Sequence, residues 1–134
     1  MFDIIMKDYD NSRREHGRGD YYKYVNSLGS ALELFRKWRG YNQNEVAKKL
    51  SFNLDSDKID EQYISNVERG KKGISLDRFI AWCEVLQLQP SRVFQYAEFF
   101  LERQGQSEEQ IIKQALIAIE KELKKRKMDE KSED

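Results

Sequence analysis

Three times between Tyr41 and Phe79 the chain repeats one construction for starting a helix, and that repetition restricts the fold more than any other feature. Asn42 is placed to cap a helix, with Glu45 three residues on and Tyr41 set to pack on Val46. Asp60 is placed to cap a second, flanked by Ile59 and Ile64, and Ser75 a third, flanked by Ile74 and Phe79. In each case a short polar side chain satisfies a free N–H of the first turn. An apolar pair, one residue before the cap and one four after it, fixes the angle of entry. One instance would mean little; three in succession predict short helices with defined crossings. One proline and seven glycines in 134 residues agree, since that breaker content disfavours many short turn-linked strands.

The flanking sequence extends the helical pattern. Residues 1–19 mix charged and polar groups around Gly17 and Gly19 and read as a flexible N-terminal arm. From Asp20, Tyr21, Val25, Leu28, Leu32 and Phe35 recur at spacings of four and three, the period of a helix face. Gly29 inside that run costs about 1 kcal/mol against alanine, which leaves open a helix start nearer Ser27; Gly40 ends it. The helix from Ser75 is expected to bury Phe79, Ile80, Cys83 and Leu86. Pro90 suits the first turn of another, with Phe94, Ala97 and Leu101 on one face and Gly105 at its end. Ser107 and Gln110 form a capping box for the last helix, whose Ile112, Leu116, Ile119 and Leu123 follow a coiled-coil seam period. That helix is read to Lys127, followed by a charged, disordered tail over 128–134. The expected organisation is an arm at 1–19, a compact domain at 20–89, helices at 90–127 that serve dimerisation, and the tail.

Charge and chemistry exclude more than they select. The 24 basic and 24 acidic residues cancel. They also balance by region, with five of each sign in 1–26, ten basic and nine acidic in 27–88, and nine and ten in 89–134. A strongly basic nucleic-acid coat is absent, so any such binding rests on a local patch. The lone cysteine, Cys83, permits no intramolecular disulfide, suits a reducing cytoplasm, and reads as a packing residue. No stretch approaches the eighteen apolar residues of a membrane span, and the start lacks the pattern of a signal peptide. No Cys/His grouping has metal-ligand spacing, no glycine-rich phosphate loop appears, and the single histidine, His16, sits in the arm. The reading is a non-enzyme without metal or cofactor. The aromatic residues Phe94, Tyr96, Phe99 and Phe100 have the spacing of a core or dimer interface rather than a base-stacking platform.

The segment Gly29–Leu88 resembles the Xre or lambda-repressor-like helix-turn-helix family. The residues that carry the resemblance are Arg39-Gly40-Tyr41-Asn42-Gln43-Asn44-Glu45-Val46-Ala47, then Tyr63-Ile64-Ser65-Asn66-Val67-Glu68-Arg69-Gly70, then Leu76, Phe79, Ile80, Cys83 and Leu86. The resemblance implies an all-α, five-helix DNA-binding domain, here with an additional C-terminal helix for dimerisation. Residues 60–69 would be the helix offered to the major groove. It also implies base contacts from Glu61, Gln62, Tyr63 and Asn66, phosphate contacts from Asn42 and Gln43, and an Arg36–Glu68 pair tying the first helix to the base-reading one. Arg69, Lys71 and Lys72 add positive charge to the same edge. Spacing independently puts Ile64 and Val67 inward and Gln62 and Asn66 together on the outer face, where side-chain amides suit adenine.

One departure stands out. Leu50 and Asp60 are separated by nine residues, where such turns usually hold three or four. Asp55, Asp57, Asp60 and Glu61 make that turn acidic. Either Phe52 and Leu54 anchor it on the core, or Asn53 and Lys58 bring it to phosphates; the apolar pair favours the first. The function expected is a transcription regulator, a repressor type acting on double-stranded DNA as a homodimer on a palindromic operator. Its dimer contacts would come from Phe94, Leu101, Ile112, Leu116, Ile119 and Leu123. The alternative is the same fold holding a protein partner, as in an antitoxin or accessory factor, with DNA binding weak or lost.

Overall fold

The computed structural model describes residues 19–133, and these are helical without strands: α1 Gly19–Trp38, α2 Gln43–Leu54, α3 Glu61–Glu68, α4 Leu76–Leu86, α5 Pro90–Glu102 and α6 Glu108–Glu133. The expected arm, with Arg13, Arg14, His16 and Arg18, lies outside the described residues. The described residues divide into two compact units, one ending at Leu101 and one beginning at Glu102.

In the first unit the three repeated starts form as their chemistry requires. Asn42 Oδ1 accepts from Glu45 N at 2.8 Å and Glu45 Oε1 accepts from Asn42 N at 3.2 Å, a complete capping box. Asp60 Oδ1 accepts from Tyr63 N at 2.8 Å, and Ser75 Oγ from Arg78 N at 3.4 Å. All three caps have extended backbone. Each cap contributes about 1 kcal/mol. The staple residues Ile59, Val46, Ile64 and Phe79 are buried.

Helix α1 is continuous through Gly29 rather than starting near Ser27. A Cβ at position 29 would overlap the carbonyl oxygens of Val67 and Glu68 in α3. The glycine therefore sets how closely α1 and α3 approach, and tertiary packing outweighs its poor helix propensity. Helix α2 packs on α3 and α4 while α1 packs on α3, around Leu32, Phe35, Val46, Leu50, Ile64, Trp82 and Leu86, each at most 1% exposed. Ala47, 3% exposed, supplies small bulk among them.

Helix α5 also belongs to this core. Val93, Tyr96 and Phe100 are buried, and the Tyr96 ring meets Phe35 edge-on at 5.2 Å. The compact unit therefore runs past Gln89, because α5 buries aromatic surface that a domain ending at α4 would leave open. Of the residues expected in α4's buried face, Ile80 is instead 43% exposed; Ala81, Trp82 and Val85 are buried with Phe79, Cys83 and Leu86. The end of α4 is held from a distance. Arg39 Nε donates to the Leu86 carbonyl at 2.8 Å and its Nη2 to the Gln87 carbonyl at 3.0 Å. A cation there satisfies end carbonyls and complements the helix dipole.

The second unit opens on the Ser107–Gln110 capping box, with Ser107 Oγ accepting from Gln110 N at 3.2 Å and Gln110 Oε1 from Ser107 N at 3.4 Å. Arg103 Nε donates to Gln114 Oε1 at 2.9 Å, and Gln114 Nε2 to Gln106 Oε1 at 3.1 Å, which fastens the entry segment to the helix. Helix α6 continues to Glu133, past the end expected at Lys127 and through most of the residues expected as a disordered tail.

Burial also fixes the chemistry of Cys83, which is 1% exposed. Desolvation pushes its thiol up to about 11 from 9.0; a backbone hydrogen bond works against this and Glu84 adds to it. The thiol is thus inert in the native state at neutral pH. Native protein is expected to resist alkylation that urea-unfolded protein accepts. The folded state holds a proton that the unfolded chain releases. Its contribution is complete below pH 9.0 and is lost as pH rises through about 11. A Cys83→Ala variant should lack that alkaline component in urea midpoints measured against pH.

Candidate functional site

The expected working surface is the outer face of α3, and its quality depends on how firmly its inner face is held. Ile64 and Val67 are buried at 0% and 2% exposure, as is Glu68 at 4%. Arg36 of α1 meets the Glu68 carboxylate with two donors, Nε to Oε2 at 2.7 Å and Nη2 to Oε1 at 3.1 Å. A third Arg36 donor, Nη1, reaches the Tyr41 carbonyl at 2.8 Å. Gln43 Nε2 completes the carboxylate at 2.9 Å from Oε1. Three elements therefore converge on one buried carboxylate: α1 through Arg36, the first residue of α2 through Gln43, and α3 through Glu68 itself. Fork-on-carboxylate geometry is the strong form of a charged hydrogen bond and fixes orientation as well as distance.

The expected site residues divide by this arrangement. Glu61 and Gln62 are exposed and Asn66 half-buried on one edge of α3. Gln62 Nε2 donates to Asn66 Oδ1 at 3.1 Å, so the two amides act as one unit one turn apart. This leaves Gln62 Oε1 as an acceptor and Asn66 Nδ2 as a donor facing outward. Tyr63 is placed differently. It is 6% exposed, with Lys72 Nζ 5.4 Å and Arg78 Cζ 4.9 Å from its ring centroid. Its spacing of four from Val67 puts it at the inward edge of the helix, a signal that the resemblance overrode.

Asn42 and Gln43 are likewise engaged internally. The Asn42 side-chain oxygen caps Glu45 by accepting from its N–H, and the Gln43 side-chain nitrogen donates to Glu68. What α2 still offers an anion is backbone N–H at its first turn, favoured by the helix dipole. After α3 the chain turns at Gly70, whose φ of +74° lies where only glycine sits without strain. Lys71 N and Lys72 N both donate to the Asn66 carbonyl, at 2.9 and 3.2 Å, so the loop carrying Lys71 and Lys72 is fastened to the end of α3. Arg69, Lys71 and Lys72 are exposed.

The long acidic turn is shorter than its sequence suggests. Helix α2 continues one turn past Leu50 to Leu54, ending at Asp55 with φ +49° and ψ +50°. The anchor is neither Phe52, which is 87% exposed, nor chiefly the half-buried Leu54, but Ile59 at 5% exposure. Ser51 Oγ donates to the Ile59 carbonyl at 2.9 Å and closes the loop on its own helix. Asp60 is held as the α3 cap, and Glu61 in the first turn complements the helix dipole.

Among the residues expected to pair copies, Phe94 is 49% exposed and its ring lies 5.0 Å from Phe79. Leu101, Ile112 and Leu116 are half-buried, Leu123 is 39% exposed and Ile119 only 4%. Ile111 and Ala115 are buried beside them in the helix register. Among the described residues no group of three or more His, Cys, Asp or Glu is placed to hold a metal ion, and no helix is long and apolar enough to cross a membrane.

Residues 32–93 match the family described as helix-turn-helix, a span from the middle of α1 into α5. No curated protein and no solved structure matches the chain.

Proposed function

From the membership of residues 32–93 in the Xre or lambda-repressor-like helix-turn-helix family, we propose that this chain is a sequence-specific transcription regulator that reads DNA through α3. The observation that carries the reading is the joined Gln62–Asn66 pair. Its outward acceptor and donor match the N6 donor and N7 acceptor of adenine in the major groove. Glu61 beside it suits the amino group of cytosine. Arg69, Lys71 and Lys72, with the N-terminus of α2, supply backbone contacts that position the reader without selecting sequence.

A single module with zero net charge makes few phosphate contacts, so useful affinity calls for two copies on a two-fold site. A homodimer with half-sites about 34 Å apart meets that need; the exposed Phe94 and the apolar positions of α6 are the surfaces it would draw on. This reading takes the form of a repressor in a reducing cytoplasm, a compartment that suits the lone Cys83 thiol.

Selection of bound duplexes from a random pool tests the proposal. Enrichment of a palindrome with one-turn spacing is the expected result; a pool that shows no enriched sequence overturns it. Replacing Gln62 and Asn66 with alanine should then relax base preference, removing about 1–3 kcal/mol of discrimination at the facing base pair. Lys71→Ala should instead weaken every sequence alike.

The exposed Phe52 beside Asp55 and Asp57 favours a second reading, in which the turn before α3 holds a protein partner. Binding that survives Phe52→Ala unchanged in cell extract and on DNA removes that reading.

A further inference from the structure

Of the two cations over Tyr63, Lys72 and Arg78, only Arg78 has no part in the roles assigned so far. Arg78 lies in the first turn of α4, three residues after its Ser75 cap. A positive charge there faces the unfavourable end of the helix dipole. Yet among the described residues no carboxylate pairs with Arg78 or with Lys72. What holds both is the Tyr63 ring, with Arg78 Cζ 4.9 Å and Lys72 Nζ 5.4 Å from its centroid. Cation–ring attraction of this kind orients a charged group without neutralising it. Tyr63 follows Gln62 directly and precedes Asn66 by three residues, so the pair of cations is anchored to the same helix that carries the outward amides. The loop holding Lys72 is fixed as well, through its N–H on the Asn66 carbonyl.

We infer that Arg78 and Lys72, held over the ring of Tyr63, form a clamp for the DNA phosphate backbone beside the face of α3 that reads bases. Tyr63 is a positioning residue in this arrangement rather than a base contact. The inference rests on the DNA-reading role proposed above and adds Arg78 to it. The missing counter-ions are backbone phosphates, which accept from a guanidinium fork and from an ammonium. Such a clamp sets register on the duplex and carries no sequence information itself.

Binding of the full chain to a mixed-sequence duplex, followed across a salt series, tests the clamp. Arg78→Ala should weaken binding roughly tenfold near 0.1 M salt and reduce the slope of log affinity against log salt by about 0.9, the share of one phosphate. Lys72→Ala should act similarly, and neither should alter which duplexes are enriched from a random pool. Tyr63→Phe keeps the ring and should match the parent in slope and sequence preference. Tyr63→Leu, checked for folding by its thermal transition, should lower the slope as the cation replacements do. An Arg78→Ala variant with unchanged affinity and slope overturns the clamp while leaving the DNA-reading role standing. A Tyr63→Phe variant with altered base preference overturns the positioning role, since only the hydroxyl differs. A parent chain that binds no duplex at all overturns both.

Discussion

Glu68→Ala is expected to destabilise the domain by about 3–5 kcal/mol, the largest effect of any single replacement considered. The carboxylate is buried and accepts from Arg36 twice and from Gln43 once. Its removal leaves the Arg36 guanidinium, itself only 7% exposed, without its counter-ion and with two donors unsatisfied. Desolvation of that orphan charge, not the lost attraction, sets the size of the effect. Domains of this size have only about 5–15 kcal/mol in hand, so a large unfolded fraction should be visible in urea titrations. Replacing both partners with apolar residues of similar volume, Arg36→Met with Glu68→Leu, should recover most of the loss. A single Glu68→Ala variant within 1 kcal/mol of the parent would show that the pair is not a structural keystone.

Gly29→Ala should be the second most damaging change, and its direction opposes the usual expectation for a helix. On an exposed helix the replacement gains about 1 kcal/mol from propensity. Here the added methyl meets the backbone carbonyls of Val67 and Glu68, the latter oxygen 2.7 Å from the ideal Cβ position. Neither obstacle is a side chain able to swing aside, so α1 and α3 must separate. Overpacking of this kind costs about 1–3 kcal/mol. Separation also lengthens the Arg36–Glu68 contacts, whose geometry depends on the same crossing. A net loss of about 2 kcal/mol, read from the urea midpoint, is the expected result; a raised midpoint would mean the crossing relaxes without strain. Because the two sites share the crossing, their effects should not add.

These two residues show where the sequence was readable. The caps at Asn42, Asp60, Ser75 and Ser107 and the staples are legible because each is a short pattern of defined chemistry, whereas the Arg36–Glu68 tie, 32 residues apart, is implied only by the family resemblance. Gly29 was visible only as a propensity defect, since the close approach that demands it involves α3, nearly forty residues away. The extra turn of α2 was hidden for a different reason. Val46, Leu50 and Leu54 recur every four residues and mark a continuing helix, but the length typical of the family suggested an earlier stop. Within the site, Gln62 and Asn66 stood out by spacing, whereas the engagement of Gln43 by Glu68 and of Arg78 by Tyr63 depends on tertiary neighbours.

The bonds from Arg39 to the carbonyls of Leu86 and Gln87 join residues 47 and 48 apart in the chain. During synthesis α1 leaves the ribosome first, yet its closing partner at the end of α4 is still to be made. At about 5–20 residues per second that interval is roughly 2 to 10 s. Through it α1, α2 and α3 exist without the strut that fixes α4 beneath them. Contacts so widely separated are slow to close, because loop entropy is lost before they form. The strut from the end of α1 can thus close only after the last turn of α4 has been made.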